Sequence, residues 1–224
     1  MRTSFGLALL SLTLLTFASA DAVSLIEDWT AQPPGSMGVP AGWTGESFGR
    51  RAFYDLAIES DGDRRVLHLR SLDEHSTISK DITGKVRIRA TPILEWTWKV
   101  VRLPIGGDLR EARTSDLPIQ LYVVWPRFPT LVRSRVLGYV WDANAPVGLV
   151  TPSRKAARVT FIVLRSGSED LGRWVQERRN VAEDYQRVFG EPPDDPGIVT
   201  ISIDSNDTHS SAEAFVGPIR FVTP

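Results

Sequence analysis

The 224-residue sequence contains no cysteine, and only two methionines and three histidines. Without a thiol it can form no disulfide, no thiolate metal centre and no thiol redox couple, so burial and hydrogen-bonded ladders must hold it together. It also lacks an excess of either charge. Twenty-six Lys and Arg stand against 27 Asp and Glu, scattered rather than massed, which gives no electrostatic pull toward nucleic acid or anionic lipid. A nucleic-acid partner is therefore not expected. Long helical periodicity, internal repeats, low-complexity tracts and any linker that would divide the chain are missing too. Beyond residue 20, no apolar run is long enough to span a bilayer.

The first twenty residues are different in kind. Arg2, an apolar run from Phe5 to Phe17, and then Ala18-Ser19-Ala20 read as a secretory signal with a small-residue cleavage site. The mature chain is expected to start near Asp21, in the periplasm or outside the cell, with no transmembrane segment left after cleavage. No cysteine follows the run to carry a lipid. What remains, roughly 200 residues, suits one domain over 21–224 that buries roughly 70% of its unfolded surface.

Short β-branched and aromatic runs punctuated by Gly, Pro and Asp predict an all-β, antiparallel sandwich. Tyr54, Leu56 and Ile58 fall two apart, Ser60-Asp61-Gly62-Asp63 supplies a turn, and Leu67 and Leu69 resume the alternation, which makes a hairpin. From Ile93 to Val100, Leu94, Trp96, Trp98 and Val100 share the core face, opposite Glu95, Thr97 and Lys99. Ile119–Trp125, Val136–Trp141 and Val159–Arg165 are apolar on both faces, as in central strands covered on both sides. Val199, Ile201 and Ile203 alternate with Thr200, Ser202 and Asp204. Phe215–Phe221 is the expected closing strand, in which Pro218 marks an edge or a bulge. One short helix is expected after Asn180, where Asn180 and Glu183 form a capping pair, Val181, Tyr185, Val188 and Phe189 a stripe, and Gly190 with Pro192-Pro193 the stop. The Pro- and Gly-rich stretch 31–42 reads as a loop between early strands.

Trp96-Thr97-Trp98-Lys99, Val163-Leu164-Arg165-Ser166-Gly167, Trp174 to Tyr185 and Phe189-Gly190-Glu191-Pro192-Pro193 together carry a resemblance. From about Trp43 to Phe221 the chain resembles the domain of unknown function 3047 family of exported bacterial proteins, most specifically over Glu177-Arg178-Arg179-Asn180-Val181 through Gly190. The resemblance implies an envelope or secreted jelly-roll sandwich, similar to carbohydrate-binding modules and lectin-like domains; it implies no activity. The chain departs from the family pattern at Ser115-Asp116, where paired aspartates are usual, at Asp204-Ser205-Asn206-Asp207-Thr208, and at Gly217-Pro218, where an acidic residue is usual.

Sugar rings stack on aromatic faces while their hydroxyls pair with Asp, Asn, Gln and Arg, so candidate ligand residues lie on the polar faces and strand ends. These are Gln120, Tyr122, Arg165, Glu177, Asp184 and Asp204, with Trp125 or Trp141 as stacking rings. Trp125-Pro126-Arg127-Phe128-Pro129 places two aromatics and a cation on a stiff segment. The reading is an exported binding domain for a glycan or other envelope polymer, with no catalytic residue and no cofactor assigned. Two alternatives stand beside it: a polysaccharide-acting enzyme with Glu177 and Asp184 as acid and base, and an assembly protein that docks through a sheet edge or apolar patch. Asp204, Asn206 and Asp207 offer hard oxygens to Ca²⁺, although the same residues make ordinary turns. His68, His75 and His209 show no zinc spacing.

Overall fold

A computed structural model describes residues 22–46 and 54–224; the expected signal segment lies outside the described residues. In chain order the elements are β1 (Val23–Glu27), β2 (Thr44–Gly45), β3 (Asp55–Asp61), β4 (Arg64–Leu72), β5 (His75–Asp81), β6 (Ile93–Arg102), β7 (Ile119–Trp125), α1 (Thr130–Arg133), β8 (Arg135–Asp142), β9 (Val150–Pro152), β10 (Val159–Ser166), β11 (Val175–Asn180), α2 (Val181–Phe189), β12 (Ile198–Asp204) and β13 (Ser211–Val222). The strands form two sheets. One runs β11-β6-β13-β4-β3 with β1 added to β13, and the other runs β2-β5-β12-β7-β8-β10-β9. This is the all-β sandwich expected from the residue pattern, of the jelly-roll type that the family resemblance implies. All pairs are antiparallel except β8 with β10, which run parallel because the short β9 takes the antiparallel place beside β10.

The core fills the space between the sheets. Leu94, Trp96, Trp98 and Val100 of β6 are all buried, as their alternation requires, and Trp98 and Trp96 meet edge to face at 5.3 Å and 88°. Trp96 leans on Tyr139 and Trp98 on Trp141 across the sandwich. Each such ring contributes about 1.5–3 kcal/mol by burial, with about 0.5–1.5 kcal/mol more for the edge-to-face geometry. The outer faces of β8 and β10 are covered as well. Leu109, Leu117 and Ala145, from loops lying across them, enclose Val140, Phe161 and Val163 in a second small core, which is why these strands are apolar on both faces.

Pro218 sits at a bulge, not an edge. β13 pairs with β6 on one side, while its other side pairs with β4 up to Val216 and with β1 from Ile219 onward. Proline, which has no N–H to give, occupies the step where the partner changes. Gly217 beside it leaves room for Thr97, whose Oγ1 would stand 2.1 Å from any Cβ there. The 31–42 loop runs along the outer edge of β3, with Gly35 and Gly38 N–H groups donating to Ile58 and Leu56 carbonyls and Ser36 accepting from the Ile58 N–H. It thereby covers a strand edge that would otherwise be open to pairing.

α2 starts where expected. The Asn180 side chain accepts the Glu183 N–H, and Gly190, at φ 74°, donates its N–H to the Gln186 carbonyl to close the helix. Val181 and Tyr185 reach the core, and Tyr185 packs against Trp125 at 4.6 Å. A single extra turn, α1, follows Pro129 without a side-chain cap to signal it in the sequence. Among the described residues no helix is long and apolar enough to cross a membrane.

Candidate functional site

The outer face of the second sheet is hollowed into an open cleft of about 490 Å³. Its floor follows from alternation along two paired strands. On β12, Val199, Ile201 and Ile203 point to the core and send Thr200, Ser202 and Asp204 outward, directly opposite Ser79, Thr77 and His75 of β5. The cross-strand pairs bond each other: Thr77 Oγ1 and Ser202 Oγ lie 2.8 Å apart, as do Ser79 Oγ and Thr200 Oγ1. His75 Nε2 sits 2.6 Å from Thr77 Oγ1 and 3.2 Å from Ser202 Oγ, while Ser79 Oγ also donates to Glu46. Hydroxyls can rotate between giving and accepting, so this half of the floor forms an adaptable polar ladder. Burial, ahead of the Lys155 charge, lowers the basicity of His75 and favours its neutral ring.

The other half is apolar. Gly138 of β8 has no side chain, and Tyr122 from β7 and Phe161 from β10 lie over it: a Cβ at 138 would meet Tyr122 Cε1 at 2.8 Å and Phe161 Cδ1 at 2.9 Å. Val136 and Val159 continue this wall. The Tyr122 hydroxyl donates to Gln120 Oε1, and the Gln120 amide in turn donates to Asp204 Oδ1 at 3.1 Å. Leu117 N–H reaches the same oxygen at 2.6 Å. Asp204 is nearly dry, at 8% exposure, and among the described residues no guanidinium is paired with it. Burial pushes its carboxyl up to about 8; the Leu117 N–H and Lys155 pull it down, and the Asp116 and Asp207 charges push it further up. Burial also holds the Tyr122 phenol far above its ordinary range.

Thr130 and Pro126 stand on one rim, Ser153 and Lys155 on another. A second depression of about 370 Å³, lined by Thr44, Ser79, Asp81 and Thr83, shares Pro126 and Ile198 with the cleft and extends it along the sheet.

Of the residues proposed from sequence, Gln120, Tyr122 and Asp204 share this cleft. The others do not. Trp125 and Trp141 are 2% and 1% exposed, with indole N–H groups bonded to the Asp194 and Gly167 carbonyls, so both rings belong to the core and offer no stacking surface. Their positions at the ends of apolar strands suggested exposure, but both have core-facing parity. Arg165 pairs with Glu177 at 2.8 Å and bridges β10 of one sheet to β11 of the other; Glu177 also accepts the Trp98 N–H at 3.2 Å. Asp184 takes Arg179 bidentately at 2.6 and 3.0 Å, Arg187 at 2.8 Å and the Tyr139 hydroxyl at 3.0 Å. Glu177 and Asp184 are thus engaged as ion-paired struts outside the cleft, which removes them as an acid and base. In the Trp125–Pro129 segment, Arg127 bonds Glu191 and Tyr185, and only Phe128 turns its ring outward, at 86% exposure.

The oxygens considered for Ca²⁺ do not converge. Asp207 pairs with Lys155, its N–H is held by Asp116, and no described group of three or more His, Asp and Glu could hold a metal ion. His68 lies on the opposite sheet between Glu59 at 2.6 Å and Glu213 at 2.9 Å, one carboxylate on each ring nitrogen. His75, Thr77 and Ser79 are not legible as site residues in the sequence, because β5 carries a single large apolar residue, Ile78, and so shows no alternation. Thr200 and Ser202 were legible, since they share parity with Asp204.

Residues 41–220 match the family model described as Protein of unknown function (DUF3047). The chain belongs to this family. No curated protein matches it significantly. Similar solved structures include the family 11 carbohydrate-binding module of a cellulosomal cellulase from Clostridium thermocellum, with 13% identity over 92% of this chain and 97% of that one and a TM-score of 0.49. The CBM22-1 xylan-binding domain of Paenibacillus barcinonensis Xyn10C shows 11% identity over 92% and 98%, with a TM-score of 0.43. A cellulase derived from Cel12A of Rhodothermus marinus shows 10% identity over 91% and 100%, with a TM-score of 0.45.

Proposed function

We propose that this DUF3047 member is an exported domain that binds a glycan or other envelope polymer in the cleft on its second sheet. The observation that carries the reading is the division of the cleft into two halves. A hydroxyl ladder on β5 and β12 faces an apolar wall of Tyr122, Phe161, Val136 and Val159. A pyranose has the same division: polar edges bearing hydroxyls, and C–H faces that lie against aromatic and aliphatic carbon. The volume falls within the range of small-ligand sites, roughly 300–1,000 Å³, and the adjoining depression offers a chain somewhere to continue. Export rests on the signal-like first twenty residues.

Calorimetric titration with soluble β-glucan, xylan, chitin and peptidoglycan oligosaccharides tests this. The expected outcome is binding to at least one of them, abolished in Gln120→Ala and in Gly138→Leu, which drives the Tyr122 and Phe161 rings from their places in the cleft wall, and retained in Arg178→Ala on the far sheet. Heats absent for every oligosaccharide, or equal in all four proteins, would refute it.

A further inference from the structure

We infer that Asp204 meets its ligand as a neutral carboxylic acid, donating an O–H hydrogen bond from the cleft floor to an uncharged acceptor oxygen of the glycan. The inference rests on the proposed cleft function and assigns one residue a specific form within it.

Geometry is the first support. Both hydrogen bonds that the Asp204 carboxyl makes with described residues arrive at Oδ1, from Leu117 N–H at 2.6 Å and Gln120 Nε2 at 3.1 Å. Gln120 is itself oriented by the Tyr122 hydroxyl, which occupies its carbonyl oxygen and leaves its NH₂ to face Asp204. With both donors at Oδ1, Oδ2 is the oxygen available to carry a proton. The side chain is nine-tenths buried, yet it lines the open cleft.

Charge is the second support. Asp116, just before β7, and Asp207, in the turn after β12, act on Asp204 with negative charge, and Lys155 on the cleft rim opposes them. Lys155 is already paired with Asp207, and Asp116 spends its oxygens on the Asp207 and Thr208 N–H groups and the Thr208 hydroxyl. Across β5 the directly paired residue is His75, which burial keeps neutral. On β7, Tyr122 stays un-ionised. Among the described residues no cation is paired with Asp204 itself, so burial beside the Asp116 and Asp207 charges favours keeping the proton, in keeping with a carboxyl pushed up to about 8.

A neutral acid differs from a carboxylate in what it selects. It gives a hydrogen bond where a carboxylate can only accept, so it favours ether or carbonyl oxygens. Once ionised, it presents the same oxygens with a lone pair and an uncompensated charge. Binding should therefore hold up to about pH 8 and weaken about tenfold for each further pH unit if only the acid form binds.

Two measurements test this. The ligand-free protein, with ¹³C-labelled aspartate, is titrated by NMR, taking the Asp204 carboxyl signal as the one lost in Asp204→Asn; it should titrate near pH 8. Calorimetry with cellotetraose, xylotetraose and chitotetraose is then run from pH 6 to pH 9.5. Wild-type affinity should fall about tenfold per unit above pH 8, while Asp204→Asn, a permanently neutral donor of the same shape, should bind with little pH dependence. A carboxyl already ionised at pH 7, with glycan bound normally, overturns this inference alone. Wild-type and Asp204→Asn affinities that fall together with pH also overturn it. No binding at pH 6 of any of the three, or of the peptidoglycan oligosaccharides run beside them, overturns the donor role together with the cleft function on which it rests. If Asp204→Asn does not fold, the signal is assigned by Gln120→Ala, which should shift its titration, and the wild-type pH series still decides.

Discussion

Asp184 and Asp204 are both nearly dry carboxyls at the ends of ordered elements, 4% and 8% exposed, and they do opposite things with their charge. Asp184 is surrounded by Arg179, Arg187 and the Tyr139 hydroxyl, so its charge is compensated and its geometry is spent. Asp204 has a backbone N–H and an amide but, among the described residues, no paired cation, and it lies on the floor of a cleft. The comparison shows that burial of an acid does not by itself mark a site. What sets Asp204 apart among the described residues is its access to a void without a paired cation.

The largest effect expected from this comparison is on stability. Asp184→Ala leaves the buried Tyr139 hydroxyl and the partly buried Arg179 without their partner, and should cost about 3 kcal/mol by denaturant unfolding. Asp204→Ala should cost distinctly less, since no buried charge is stranded. Equal losses would erase the distinction. Trp141→Ala belongs with Asp184, at about 3–5 kcal/mol, because the ring is core and packs against Trp98.

pH sharpens the contrast further. The folded-state proton affinity of Asp204 exceeds that of an ordinary aspartate, so the native protein holds more protons than the unfolded chain between about pH 4 and pH 8. The stability this carboxyl provides is fully present below pH 4 and is lost as the pH rises through 8. Wild type should therefore weaken relative to Asp204→Asn by up to about 1.4 kcal/mol per pH unit across that window, measured by urea unfolding at fixed pH values. Parallel stability curves would contradict the assignment.

Smaller effects test the two halves of the cleft. Gly138→Ala forces Tyr122 and Phe161 aside, and should cost about 1–3 kcal/mol along with weakened glycan binding. Ser202→Ala breaks one rung of the hydroxyl ladder, and should cost about 1 kcal/mol, the scale of a single hydrogen bond.

Much of the fold could be read directly from parity. Leu94, Trp96, Trp98 and Val100 point where their spacing places them, and the Asn180 cap and Gly190 stop bound α2. The site was only half legible. Alternation puts Thr200, Ser202 and Asp204 on one face, but nothing local says that β5, with its single large apolar residue Ile78, pairs beside them. Register between distant strands is set by the whole sandwich rather than by either segment. The same limit explains Trp125 and Trp141, because neighbouring Pro126 and Asp142 suggest a surface end while the packed layer beyond them is invisible in sequence. Arg165, Glu177 and Asp184 attracted attention as charges in a recognisable family segment. They bridge and brace the sandwich, a role that becomes apparent only once β10, β11 and α2 are brought together.

The most direct test of the cleft is an amide chemical-shift titration of the ¹⁵N-labelled protein with the oligosaccharide that binds it. The account predicts shifts gathered on Thr77, Gln120, Tyr122, Thr200, Ser202 and Asp204, with Arg165, Glu177 and Asp184 silent. Shifts concentrated on the Glu177 and Asp184 side instead would contradict it.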